Sequence, residues 1–457
     1  MPDKVLRRAM LALSLPLAIL AQSSSGVPDG FTFAAGGDLI SPKPFDLAKD
    51  PAIARIAELF RGADLGFANQ EGAIFDVSAG FKGSHAAENG GGTPVSPPQL
   101  ARDLRSMGIS IVSKANNHAT DWGSEGLMAT LAALAAAGLV QAGSGPGLSE
   151  ARAPGYVETR RGTAALVSTA STFPPMSVAG PPVTNSGLTL AARPGISALH
   201  VRLIRRVSVA DFAALRRIAG GTAFPVAGRD DQMRIGDVLF QKSDSPGLTW
   251  EMLPADETAI LDSVREARAK ARFVLFAIHA HQTAGDEDDG PAPYQPEVLH
   301  FANEAAAPND PRPADFEPAL FHAVIDAGAD AVVRTGPHLL SGIEIYKGKP
   351  IFYSLASLFF PFGGRRSFTT AAGEKLNFID ENFETVIPVA TYKNGQVSEM
   401  RLYPVAIDSR PGATTGSPLL APSDQALRIL QRVRALSKPF GTDVRIENAI
   451  GIIRPSF

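Results

Sequence analysis

The stretch VSKANNHATDWGSEG, residues 112–126, gathers two amides, an imidazole and two carboxylates within ten positions, directly behind the apolar run ISIV at 109–112. Asn116, Asn117, His118 and Asp121 therefore stand where a buried strand ends. The helix-forming run SEGLMATLAALAAAG follows, with Ser124 as a capping-type residue and Gly138 as its stop. A strand, a polar loop and a helix in this order make one βα unit.

The same form recurs on both sides. FTFAAGGDLI (31–40) and ADLGFANQEG (63–72) are apolar runs that close on polar groups, with helical patterns at 51–61 and 100–108 between them. TAALVSTAS, RFVLFAIHAH and ADAVVRTG supply further strands, and helices are expected at 255–271, 314–328 and 423–437. GIEIYKGKPIFYSLA and TVIPVATYKNGQVSEMRLYPVAI alternate apolar and polar residues, and Asn394-Gly395 marks a two-residue hairpin. Residues 173–250 show little periodicity, are rich in proline and include the basic segment DFAALRRIAG; they read as an insertion that covers or flanks a site.

Composition bounds the function. The 457 residues are 45% hydrophobic with a net charge of −3, enough for a large core and short of the basic stripe that binding nucleic acid requires. At the N-terminus, Lys4, Arg7 and Arg8 precede the apolar run 9–21 and the small polar segment QSSSG. That order is expected of an export signal or N-terminal anchor over residues 1–30, so the remainder, 31–457, is read as one exported, periplasmic or envelope-associated domain with possible membrane association at its start. The absence of cysteine agrees with a chain that needs no disulfides.

Asp38, Glu71, Asn116, Asn117, His118, His279, His281 and His338 all fall at or just beyond the ends of expected strands. In sheets built from βα units such ends converge on one edge, where side chains remote in sequence share a site. Carboxylates, an amide oxygen and neutral imidazoles suit manganese, iron or zinc, and no thiolate biases the choice. His279 and His281 are two apart on one strand and face the same way, so one can hold a metal while its neighbour holds a second ion or substrate. Each residue also has a plain structural reading, as turn former, cap or loop residue. The acidic run DEDDG at 286–290 reads as a solvated loop, and His85, His200, His300 and His322 as ordinary surface or core histidines.

The blocks GGDLI, ADLGFANQEGAI, VSKANNHATDWGSEGLMATLAALAAAGL, AIHAH and IDAGADAVVRTGPHLLSGIEIYKGKPIFYSLASLFF resemble, in sequence and order, the CapA-type proteins of poly-gamma-glutamate capsule synthesis. The resemblance spans residues 31 to about 362, and that family is similar to calcineurin-like metallophosphoesterases. It implies an α/β fold, a metallophosphatase-like four-layer αββα sandwich with an inserted cap region. It also implies one or two divalent ions, with Asp38 as first ligand, Glu71 as bridging carboxylate, Asn117 and His279 on the second ion and His338 closing the first. His118 takes the place of the general acid, and Asp121 orients it or its loop. The chain departs from the family at Arg334-Thr335-Gly336-Pro337-His338, where two histidines are lost, and at His279-Ala280-His281, where His281 stands as a replacement ligand or substrate contact.

The activity expected from this pattern is metal-dependent hydrolysis or acyl transfer on an amide-linked acidic polymer or peptide. Arg334 is either a fork for a substrate carboxylate or a surface salt bridge. Phosphoester hydrolysis, and a non-catalytic role in polymer binding or export alongside envelope export or synthesis proteins, are the alternatives.

Overall fold

The computed structural model describes residues 26–40, 43–84, 93–236, 238–284, 311–362, 367–369, 375–412 and 414–456. Most of the expected export signal, the DEDDG run, His85 and His300 lie outside the described residues.

The expected strands and helices form, and they assemble into two sheets face to face. The first runs in the order Arg445–Glu447, Ile450–Ile453, Gln396–Ile407, Glu384–Lys393, Thr32–Leu39, Leu65–Gln70, Ile111–Ser113, Val140–Ala142. The second runs Ile343–Tyr346, Lys349–Phe352, Ala331–Thr335, Phe273–His279, Gly162–Ala170, Gly155–Thr159. The strands that carry the polar ends are parallel within each sheet, so their C-terminal ends share one edge. Asn394 and Gly395, both at positive φ, turn the long antiparallel hairpin as the Asn-Gly pair requires.

Strand alternation sorts the core. Phe31, Phe33, Phe67 and Ile111 of the first sheet meet Leu166, Phe273, Leu275 and Val333 of the second in one buried cluster. There Phe31 stacks on Phe273 with centroids 4.7 Å apart. The opposite face of the first sheet, through Ala34, Ala68 and Val112, packs under helices Pro51–Gly62 and Gln99–Met107. That of the second, through Val274, Phe276 and Val332, packs under helices Pro254–Lys270 and Phe316–Asp326. Helix, sheet, sheet and helix layers give the four-layer sandwich. Each large apolar side chain fully buried in such layers contributes about 1.5–3 kcal/mol.

Three local expectations change. Helix Gly123–Ala136 starts behind Trp122 with no side-chain cap; Ser124 falls inside its first turn. Strand Phe273–His279 ends at His279, so His281 is a loop residue. The 173–250 segment, for all its weak periodicity, is ordered into two parts. Residues Phe173, Ile196 and Ala198 pack against Ala115 and Ala119 of the loop after Ile111–Ser113. Beyond them, Val201–Val207, Ala223–Val226, Arg229–Ile235, Val238–Lys242 and Gly247–Met252 form a separate five-stranded sheet carrying helix Val209–Ala219. Short strands of mixed burial leave only a weak alternation signal, which is why it escapes a periodicity reading. No helix among the described residues is long and apolar enough to cross a membrane.

Candidate functional site

Asp38 is the penultimate residue of strand Thr32–Leu39 and pairs in register with Asn69 on one side and Ser357 on the other. Its place depends on the glycine before it. A Cβ on Gly37 would stand 1.9 Å from the Ala356 carbonyl oxygen, so only glycine lets the segment before strand Ser357–Phe359 lie against this strand. Glu71 follows strand Leu65–Gln70, and His338 follows strand Ala331–Thr335 at φ +53. That conformation is uncommon for a residue with a side chain. Asn382 holds it by donating from Nδ2 to the His338 carbonyl at 3.1 Å.

Asp38, Glu71 and His338 offer one ligand atom each within 4.8 Å of one another, and all three are buried. His338 Nδ1 is 3.3 Å from Asp38 Oδ2 and 3.0 Å from Ser357 Oγ. Gly336 N–H donates to Asp38 Oδ2 at 3.2 Å. Two buried carboxylates and an imidazole converging this closely are a hard donor set that fits manganese, iron or zinc. Without a compensating cation such a pair of charges is costly to bury. The donor set therefore fits a divalent ion, held by Asp38, Glu71 and His338.

His279, expected on a second ion, stands beside this group. Its Nδ1 is 3.7 Å from Asp38 Oδ1 and 3.0 Å from Thr335 Oγ1, and its Nε2 is 3.0 Å from His281 Nε2. Although His281 has left the strand, the loop returns its ring to 5.7 Å from that of His338. Asn117 is fully buried on the adjacent loop.

His118 and Asp121 form a tight pair, Nδ1 to Oδ2 2.6 Å, and the ring turns its Nε2 toward Glu71 Oε1 at 3.8 Å. Burial opposes the charged ring, but the Asp121 charge and hydrogen bond, with Glu71 behind them, raise the His118 pKa above its ordinary value. Burial lifts the Asp121 carboxyl to about 6 against the pull of His118 and Lys114. Lys114, itself fully buried, donates from Nζ to the Glu71 and Gly72 carbonyls at 2.8 and 3.2 Å and so ties the two polar loops together. Burial lowers its pKa to about 8.

The expected substrate fork of Arg334 is not formed. Arg334 is 0% exposed. Its Nε lies 2.7 Å from Glu317 Oε1, and its guanidinium donates to the Ala280, Tyr353 and Gln282 carbonyls. It sits inside strand Ala331–Thr335 and braces the second sheet against helix Phe316–Asp326, so neither a ligand fork nor a surface salt bridge describes it.

Asn69 is the site residue that the sequence reading passes over. Its Nδ2 donates to Asp38 Oδ1 at 2.7 Å and faces His279 Nδ1 at 3.2 Å, while its Oδ1 accepts from Asn116 Nδ2 at 3.2 Å. It joins both sheets' polar ends. Its position at the end of strand Leu65–Gln70, two residues before Glu71, was the available signal. Asn116 spends its amide hydrogens on Asn69 and on the Gln70 carbonyl at 2.9 Å, and its buried Oδ1 accepts no hydrogen bond among the described residues.

Comparison with known proteins agrees with the motif order. The family model described as "Bacterial capsule synthesis protein PGA_cap" matches residues 32–309 and 305–361. The uncharacterized protein y4sH of Sinorhizobium fredii (strain NBRC 101917 / NGR234) is 36% identical over 95% of each chain. The PGA biosynthesis protein CapA of Bacillus subtilis (strain 168) is 25% identical over 58% of this chain and 46% of its own length. A hypothetical protein from Thermus thermophilus, a solved structure, aligns at 16% identity over 82% of this chain and 98% of its own with a TM-score of 0.38, too low to carry an argument. With a match across most of the two-sheet body and a full-length relative, the chain belongs to the bacterial capsule synthesis protein family PGA_cap.

Proposed function

We propose that this protein is a metal-dependent hydrolase, or acyl-transfer enzyme, that opens amide bonds in an acidic envelope polymer of the poly-gamma-glutamate or peptidoglycan type outside the cytoplasm. The observation that carries the reading is the His118–Asp121 pair standing against the Asp38, Glu71 and His338 group. A divalent ion held there supplies positive charge that polarises a carbonyl and acidifies water. The chain's own residues do the rest. Water adds to the carbonyl carbon, and His118, held by Asp121, delivers a proton from Nε2 to the departing nitrogen as the C–N bond breaks, leaving a carboxyl group and a free amine. An amine is a poor leaving group without that proton, so amide cleavage needs a donor placed as His118 is. Asp121 fixes the tautomer and keeps the ring turned toward Glu71. Lys114 holds the Glu71 loop at its distance.

The test is release of free amines from poly-gamma-glutamate, run beside phosphate release from a generic phosphoester. Amine release that disappears in His118→Ala supports the proposal. Phosphate release alone replaces it with a phosphoesterase. A second reading, a non-catalytic polymer-binding or export factor, is favoured by the histidines this chain lacks at 334–338; folded, metal-loaded protein that binds polymer without cleaving it establishes that reading.

A further inference from the structure

The five-stranded sheet is held to the body at one side, through strands Val201–Val207 and Gly247–Met252. Strand Gly247–Met252 is the edge strand there, where Trp250 is buried, its backbone N–H donates to Asp315 Oδ1 at 2.9 Å, and Thr249 Oγ1 donates to Asp315 Oδ2 at 2.5 Å. The opposite edge is strand Ala223–Val226. Four strand spacings separate the two, on the order of 19 Å, so the sheet carries its far edge away from the anchored one.

That edge has an unusual surface. Helix Val209–Ala219 ends in Arg216, Arg217 and Ile218, and one 3-10 turn, Gly220–Thr222, leads into Phe224. Ile218 is 78% exposed and Phe224 61%. Phe224 pairs in register with Arg234 on the next strand. Arg216, Arg217 and Arg234 are exposed, and among the described residues none of them is ion-paired, whereas Arg202 and Arg229 are neutralised by Glu251 and Asp231. Residues 201–242 hold seven arginines and one lysine against four aspartates, in a chain whose net charge is −3.

We infer that this tip docks on an anionic lipid surface, Ile218 and Phe224 entering the boundary between headgroups and acyl chains while Arg216, Arg217 and Arg234 meet the phosphates. Two exposed apolar side chains, one following Arg216 and Arg217 in the chain and the other paired with Arg234, are complementary to a surface that is apolar beneath and negative above. A soluble polyanion matches the arginines and gives the exposed Ile218 and Phe224 nothing to enter. A further exposed apolar feature, the hairpin of Val183–Asn185 and Leu188–Leu190, carries no charge and so does not select an anionic surface. The inference does not depend on the activity proposed above.

The test is co-sedimentation of the full chain, in the form its host yields, with vesicles of phosphatidylcholine alone and of phosphatidylcholine mixed in equal parts with phosphatidylglycerol. Binding is expected to the mixed vesicles only and to weaken with salt. Each arginine near such a surface is worth roughly fivefold in partitioning, so Arg216→Glu with Arg217→Glu lowers binding at least about tenfold, and Arg216→Lys with Arg217→Lys retains it. Ile218→Ser with Phe224→Ser also lowers it at least about tenfold. These side chains are exposed, and circular dichroism is expected to show unchanged folding. Vesicle binding that survives both double substitutions arises elsewhere on the chain and overturns the inference. So does an absence of vesicle binding, or equal binding to soluble polyglutamate that ignores Ile218→Ser and Phe224→Ser.

Discussion

His338 Nδ1 lies 3.3 Å from Asp38 Oδ2, although Asp38 belongs to the first sheet and His338 follows a strand of the second. The contact closes the edge where both sheets end, and Glu71 completes the group. Ion binding is therefore expected to need all three side chains. Elemental analysis of purified protein should find manganese, iron or zinc. Asp38→Asn, Glu71→Gln and His338→Ala should each lower retained metal at least about tenfold, on the scale at which even outlying partners act. His118→Ala should retain it. Full metal retention in Asp38→Asn would refute the assignment.

The His118–Asp121 pair can be read without any substrate. In metal-free protein, the imidazole resonances of His118 are expected to titrate above the ordinary 6.5. In Asp121→Asn the ring loses its nearest counter-charge, only Glu71 is left to oppose burial and Lys114, and the midpoint should fall. An unchanged midpoint would show that Asp121 does not set the charge of the ring.

Arg334 and Glu317 predict a stability cycle. Burial already lifts the Glu317 carboxyl to about 8 against the pull of Arg334, so Arg334→Met leaves Glu317 protonated and without its partner, a loss of about 1–3 kcal/mol or more in chemical denaturation. Arg334→Met combined with Glu317→Leu should recover the part of that loss due to Glu317 and leave the part due to the Ala280, Tyr353 and Gln282 carbonyls. Were Arg334 a substrate fork, the single substitution would spare stability and weaken polymer binding instead.

Gly37→Ala asks whether the close approach at Ala356 is required. The obstacle is a backbone oxygen 1.9 Å from the new Cβ, which cannot rotate away. Overpacking of this kind costs about 1–3 kcal/mol and at times more. The variant should also lose metal, because strand Ser357–Phe359 and Asp38 separate together. A variant as stable as the parent would show that the strands part at no cost.

Asp408 gives a pH dependence. Hydrogen bonds from the Arg410 side chain, Thr414 and the Arg410 N–H hold its carboxyl down to about 2, from an ordinary 3.8. The folded state thus binds this proton less readily than the unfolded chain. The stabilisation is complete above 3.8 and is lost as pH falls toward 2. Asp408→Asn should be less stable than the parent at neutral pH, with the gap closing across that window. A constant gap would place its effect in packing.

The residues themselves determined which segments become strands, helices and turns, and which strand ends are polar. Periods of two and 3.6, continuous apolar runs, the Asn-Gly pair and the polar loop after 112 are local properties, legible without knowing what packs against them. Asp38 and Glu71 come together because their strands are parallel neighbours, whereas His338 joins them only because the second sheet packs on the first. What a linear reading missed follows equally from physics. Asn69 looks like any strand-end amide until Asp38 and His279 are placed around it. Arg334 looks like a ligand fork until Glu317, on a helix of the outer layer, takes its charge. The weakly patterned 201–252 segment becomes a sheet only when its partners are known. Local sequence fixes backbone preference, whereas the partner of a buried charge is chosen by whatever the tertiary fold brings within about 4 Å.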